Sequence, residues 1–88
     1  MTCELCKIIA NKKEYKIYFE TDEVIILEKN DNLIIAMPKT HKMEIEGNKA
    51  SGLIKIAMKV IGRNKPNNNY CFKKVDDCDH FGIYITIK

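Results

Sequence analysis

The chain has 88 residues, of which 15 are Lys or Arg and 12 are Asp or Glu, giving a net charge of +3. This length fits a single domain over residues 1–88, and the interspersed charges lack the basic stripe typical of nucleic-acid binding, so we expect no nucleic-acid partner. The apolar stretches are only of strand length and no signal segment opens the chain, so we expect a cytoplasmic protein with no membrane contact.

The first half of the chain predicts one short helix and three strands. Apolar residues at helical spacing predict the helix over residues 4–12. The first strand should place Ile17 and Phe19 on the face opposite to Tyr18, because side chains alternate along a strand. Turn-forming residues separate the strands and favour an antiparallel meander. The three predicted strands cover residues 15–20, 24–27 and 33–37.

The second half predicts a longer helix and two further strands. Apolar residues recur at three- and four-residue spacing over residues 50–61, which predicts an amphipathic helix lying on the sheet. A polar loop at 65–69 ends this helix, and an acidic turn at 76–79 joins the strands predicted over 70–72 and 81–87. The predicted fold class is α+β, with a five-stranded antiparallel sheet and two helices.

Four residues could form a metal site. Cys3 and Cys6 have C-x-x-C spacing, and His41 and His80 are the two histidines of the chain. Two sulfur and two imidazole ligands suffice for one tetrahedral zinc ion. Such an ion would connect the amino terminus to the middle and the end of the chain. Alternatively, the thiols are ordinary side chains of a helical turn, and the histidines are surface or strand residues.

The cysteines also allow other interpretations. A reducing compartment favours metal ligands or buried thiols over disulfides. Cys3 and Cys6 would be a redox dithiol if they were exposed at a helix start without metal. Cys78 and His80 could form a different ligand pair, completed by an aspartate of the acidic turn. The sequence leaves the role of Cys71 and Cys78 open.

Four short motifs occur in order along the chain. They are Cys3-x-x-Cys6-Lys7-Ile8-Ile9, Tyr18-Phe19-Glu20-Thr21-Asp22-Glu23-Val24-Ile25, Pro38-Lys39-x-His41 and His80-x-x-x-Tyr84. Together they resemble the histidine-triad (HIT) family of nucleotide hydrolases and transferases over nearly the whole chain. The resemblance implies five antiparallel strands with two helices, usually paired into a homodimer, and a zinc site at Cys3, Cys6, His41 and His80.

The chain differs from the family at the residues that carry out the family's reaction. The family signature is H-x-H-x-H with the middle histidine as nucleophile, whereas the aligned residues here are His80, Gly82 and Tyr84. Glycine has no nucleophilic group, and tyrosine, with a pKa near 10, is a poor proton shuttle at neutral pH. The hairpin at 30–32 also replaces the family's longer nucleotide-contacting segment.

These departures lead us to expect a small zinc-binding HIT-like protein without the catalytic nucleophile, acting as a structural or binding module and not as an enzyme. One alternative is a reduced HIT-family hydrolase or nucleotidyl transferase that still binds nucleotide. A second alternative is a dithiol redox protein that uses Cys3 and Cys6.

Overall fold

The computed structural model describes residues 3–30, 32–40, 47–64, 69–75 and 80–87. The helices are α1 (Glu4–Ala10) and α2 (Gly47–Asn64), and a short 3-10 helix over Lys12–Glu14 follows α1. The strands are β1 (Lys16–Glu20), β2 (Val24–Asn30), β3 (Leu33–Pro38), β4 (Tyr70–Lys74) and β5 (Ile83–Ile87).

The five strands form one sheet in the order β1-β2-β3-β5-β4, and every neighbouring pair is antiparallel. β1, β2 and β3 are the predicted meander. β5 lies beside β3, so that β4 becomes the second edge of the sheet. The predicted α+β fold with a five-stranded antiparallel sheet and two helices is therefore confirmed.

Some predicted element boundaries were wrong. α1 ends at Ala10, two residues earlier than predicted, because the chain tightens into the 3-10 helix. β2 continues to Asn30 through an irregularity after Glu28, three residues beyond its predicted end at Leu27. β5 begins at Ile83, two residues later than predicted. The predicted acidic turn at 76–79 lies outside the described residues.

β2 and β3 are buried on both faces of the sheet, which explains why their sequences are continuous apolar runs. Alternate residues of these strands enter two separate clusters. We call them the α2 core and the α1 core, after the helix that packs on each face. The α2 core consists of Ile26, Ile34, Ala36, Leu53, Ala57, Ile61, Phe81, Ile83 and Ile85. The α1 core consists of Leu5, Ile8, Ile25, Leu27, Ile35, Met37 and Val75.

α2 is amphipathic, as its spacing predicted. Leu53, Ala57, Val60 and Ile61 are its buried residues, while the side chain of Met58 is 58% exposed. Neither α1 nor α2 combines the length and the apolarity that a membrane-spanning helix requires, within the ranges described above.

A β-bulge changes the expected pattern in β1. The pairing with β2 shifts between Ile17 and Phe19, and both Tyr18 and Phe19 pack against the α2 core. The predicted strict alternation is therefore wrong, because the extra residue at the bulge turns two successive side chains to one face. The Tyr18 hydroxyl donates a hydrogen bond of 2.9 Å to Glu28. The pKa of Tyr18 is raised to about 12, mainly because the hydroxyl is buried and also because of this hydrogen bond.

Candidate metal centre

The two cysteines of the C-x-x-C motif lie at the start of α1. Cys3 is the residue that precedes the helix, and its carbonyl accepts a 3.1 Å hydrogen bond from the Lys7 amide. Leu5, between them, is fully buried in the α1 core, so the same helical turn anchors both thiols at the sheet. Cys3 and Cys6 are themselves half-buried.

His80 is the third member of the site, and it is 1% exposed. Its Nε2 lies 2.7 Å from the carbonyl oxygen of Pro38, the last residue of β3. A carbonyl oxygen only accepts hydrogen bonds, so Nε2 carries the proton and donates it. In the neutral ring Nδ1 therefore has a lone pair, and Nδ1 lies 3.4 Å from Cys6 Sγ.

One potential ligand atom from each of Cys3, Cys6 and His80 lies within 4.8 Å of the other two. At zinc–sulfur and zinc–nitrogen bond lengths of about 2.3 and 2.0 Å, tetrahedral ligands lie about 3.5 Å apart, close to the separation of Cys6 and His80. The donation from Nε2 to a backbone carbonyl is also the usual support of a metal-binding imidazole. These three residues can therefore hold a metal ion.

The structure brings together three of the four predicted ligands. His41, the fourth, lies outside the described residues, as does Cys78 of the alternative ligand pair. Two contributors to the site were not predicted: the Pro38 carbonyl and the side chain of Leu5. Leu5 is one of the apolar residues at helical spacing that predicted the first helix, but this spacing does not reveal which atoms a buried side chain touches.

Hydrogen bonds and charge hold the segment around Pro38 in place. The amide of Lys39 donates a 2.8 Å bond to the carbonyl of Glu23, and the Lys39 ammonium pairs with Glu20. Glu20 also pairs with Lys12. The hydrogen bond from Lys12, and to a smaller extent the one from Lys39, hold the pKa of the Glu20 carboxyl below its ordinary value. The carbonyl that orients His80 thus belongs to an anchored stretch of backbone.

Gly82, which the motif resemblance aligns with the family's nucleophile, faces filled space. A Cβ atom placed on it would lie 2.8 Å from Leu5 Cδ1 and 3.1 Å from Val75 Cγ2. Tyr84, aligned with the third histidine, is half-buried and packs against the α1 core. The α1 core therefore occupies the place where a side chain of residue 82 would be.

A groove of about 720 Å³ lies between α2 and the end of the sheet where β1 turns into β2. Phe19, Val24, Leu53 and Ile56 form much of its apolar wall. Its lining includes Pro38 but none of the three residues that could hold a metal ion, so the groove and the metal centre are separate features.

Comparison with solved structures identifies the class of fold. A HIT family hydrolase from Legionella pneumophila superposes with a TM-score of 0.73 at 14% identity, covering 97% of this chain and 91% of that one. A histidine triad protein from Clostridium difficile superposes with a TM-score of 0.68 at 18% identity, covering 100% and 91%. A hypothetical protein from Leishmania major superposes with a TM-score of 0.73 at 16% sequence identity, covering 99% of this chain and 73% of that one.

No protein-family model and no curated protein matches the sequence. At these identities the structural similarity establishes the fold. The chain is an α+β protein with a potential metal centre at the start of its first helix. Its fold is HIT-like, as the motifs predicted.

The hydrogen bond to Pro38 predicts the tautomer of His80. Nitrogen-15 NMR of the metal-free protein near pH 8 should show a protonated Nε2 and an unprotonated Nδ1, because the carbonyl accepts from Nε2. Zinc addition should then shift the Nδ1 resonance and leave Nε2 protonated. A ring protonated at Nδ1 would contradict the geometry of the site.

Proposed function

We propose that this protein is a small zinc-binding HIT-like protein that acts as a structural or binding module. Zinc would be held by Cys3, Cys6 and His80, with His41 as the fourth ligand. The observation that carries the proposal is the approach of the first three ligand atoms to within 4.8 Å of one another.

The ligand chemistry supports zinc. Thiolate and imidazole are the ligands of tetrahedral structural zinc sites, and soft sulfur donors disfavour magnesium or calcium. His41 follows Pro38 by three residues, a length of chain that spans at most about 11 Å. Since the Pro38 carbonyl already contacts His80, this short chain length supports His41 as the proposed fourth ligand. Four protein ligands would leave no position for an activated water, which favours a structural role.

Two observations support a protein without HIT chemistry. The space at Gly82 is filled by Leu5 and Val75, so a nucleophilic side chain on residue 82 would collide with these two residues in this arrangement. β2 ends at Asn30 and β3 begins at Leu33, so the connection between them is too short to form the nucleotide-contacting segment that the family resemblance implies.

Purified protein should contain about one zinc per chain, measured by mass spectrometry of metals against protein concentration. Cys6→Ser should lose most of the zinc, because serine is a much weaker ligand than a thiolate. Cys71→Ser is the matched control, since Cys71 is exposed on β4 outside the cluster. His41→Ala should weaken zinc binding if His41 is the fourth ligand.

Zinc removal tests the structural role. Binding at such sites contributes on the order of 10 kcal/mol, comparable to the whole stability of a small domain, so the chelated protein should melt at a much lower temperature. A metal-free preparation that melts with the zinc-loaded form would refute the proposal. If that preparation also cycled between dithiol and disulfide, Cys3 and Cys6 would instead be a redox pair.

The protein should not hydrolyse an adenosine phosphoramidate. A positioned nucleophile with its acid–base partner accounts for several orders of magnitude in rate, and residue 82 is glycine. Gly82→His should not restore activity either, because the ring has no room beside Leu5. Turnover near the enzyme median of about 10 per second, lost in Tyr84→Phe, would support the hydrolase alternative.

We also propose that the protein forms a homodimer through α2 and the edge strand β4. Met58 on α2 is 58% exposed, and β4 is the end strand of the sheet beyond β5 in the part of the chain that the structure describes. Pairing such edges between copies is a common route to dimers. Sedimentation at tens of micromolar should give the dimer mass, and Met58→Glu should shift it toward the monomer. A monomer mass for the wild type would contradict this proposal.

A further inference from the structure

The two thiols of the metal centre lie close enough to form a disulfide with each other. Neither Cys3 nor Cys6 is in a disulfide in this structure, and their sulfur atoms lie within 4.8 Å of one another. The carbonyl of Cys3 accepts the first hydrogen bond of α1, so both residues belong to one helical turn. Helix geometry separates Cα atoms at this spacing by about 5 Å, inside the range of about 4.4 to 6.8 Å found in disulfides.

The same two residues are the accessible part of the metal centre. Cys3 and Cys6 are half-buried, whereas His80 is 1% exposed. A thiol that binds a metal ion is deprotonated, and the thiolate is the form that reacts with an oxidant. A small oxidant such as hydrogen peroxide can therefore reach the two ligands that it is able to oxidise.

We infer that Cys3 and Cys6 are a site of reversible oxidation by hydrogen peroxide, at which a disulfide between them forms and zinc is released. The inference rests on the proposed zinc-binding function and adds a form of regulation to that site. It also differs from the redox alternative considered above, because the thiols here bind zinc whenever they are reduced.

The oxidation proceeds in two steps. One thiolate attacks a peroxide oxygen, so that the O–O bond breaks, a sulfenic acid forms and hydroxide leaves. The second thiolate attacks the sulfur of the sulfenic acid, which forms the S–S bond and expels a second hydroxide. The two thiolates together lose two electrons, the peroxide gains them, and two protons from solvent convert both hydroxides into water.

A disulfide at this position removes two of the proposed zinc ligands. Its sulfur atoms carry no charge, whereas the thiolate is the form of cysteine that binds metal ions. Only His80 and the proposed ligand His41 would remain. Loss of a hydrogen-bond partner behind a ligand already weakens metal binding by about 10- to 100-fold, so loss of two ligands should weaken it by at least about 100-fold.

The exchange of zinc for a disulfide replaces a long-range connection by a local one. Zinc would join Cys6 to His80, which lies 74 residues further along the chain. The disulfide joins only residues of one helical turn, and closing so short a loop stabilises a protein little. After oxidation α1 is therefore held at the sheet by apolar contacts such as those of Leu5 and Ile8.

Peroxide titration of the zinc-loaded protein tests the inference, with a chromophoric chelator to report the released metal. About one zinc should appear for each disulfide formed, with the loss of two titratable thiols. The chain should become lighter than the reduced chain by about 2 Da, the mass of two hydrogen atoms. Peptide mapping should place the disulfide between Cys3 and Cys6. Zinc that stays bound under excess peroxide would overturn the inference.

Cys71→Ser is the matched control, because it removes an exposed thiol that lies outside the cluster. This variant should release zinc at a rate within twofold of the wild type and form the same disulfide. A dithiol reductant supplied with zinc should then restore the zinc content of both proteins. A disulfide that involves Cys71 or Cys78, or an oxidised product that the reductant cannot reverse, would overturn the inference.

Melting temperatures test the loss of the long-range connection. The oxidised protein should melt with the chelated, reduced protein and well below the zinc-loaded form. An oxidised protein that melts with the zinc-loaded form would contradict the exchange. The zinc content measured before peroxide is added separates the two hypotheses, since a reduced protein without zinc would overturn the proposed function itself.

Discussion

The imidazole of His80 is the polar group around which the two ends of this chain are organised. It is almost fully buried, and a buried ring requires partners for both nitrogens. Nε2 donates to the carbonyl at the end of β3, and Nδ1 faces the thiol of Cys6 at the start of α1. One side chain therefore connects the amino-terminal helix, the central strand and the segment leading into β5.

The two helices that pack on the faces of the sheet differ greatly in length, and this difference explains why the contacts between α1 and His80 matter. α2 has 18 residues and covers one face, whereas α1 has 7 residues. Isolated helices shorter than about 12 residues are marginal in water, and Cys3 makes no side-chain capping bond at the start of α1. The short helix must therefore be held by tertiary contacts: Leu5 and Ile8 in the α1 core, and its cysteines beside His80.

Periodicity predicted the order and type of the elements because burial imposes a pattern on each of them. Apolar runs indicated that β2 and β3 are strands, and C-x-x-C with His41 and His80 indicated a metal site, of which the fold brings together Cys3, Cys6 and His80. The bulge at Tyr18 was not predictable, because an unpaired residue leaves no periodic signal. The contact of Leu5 with Gly82 was also hidden, since it joins residues far apart in sequence through the exact register of the packing.

The potential metal centre and the filled space at Gly82 meet at one junction of the fold. The turn that carries Leu5 against Gly82 also carries Cys3 and Cys6 toward His80. A large side chain at position 82 and Leu5 in its present place exclude each other sterically. A histidine at position 82 would therefore require a different side-chain position for Leu5, a smaller residue 5 or a displaced α1.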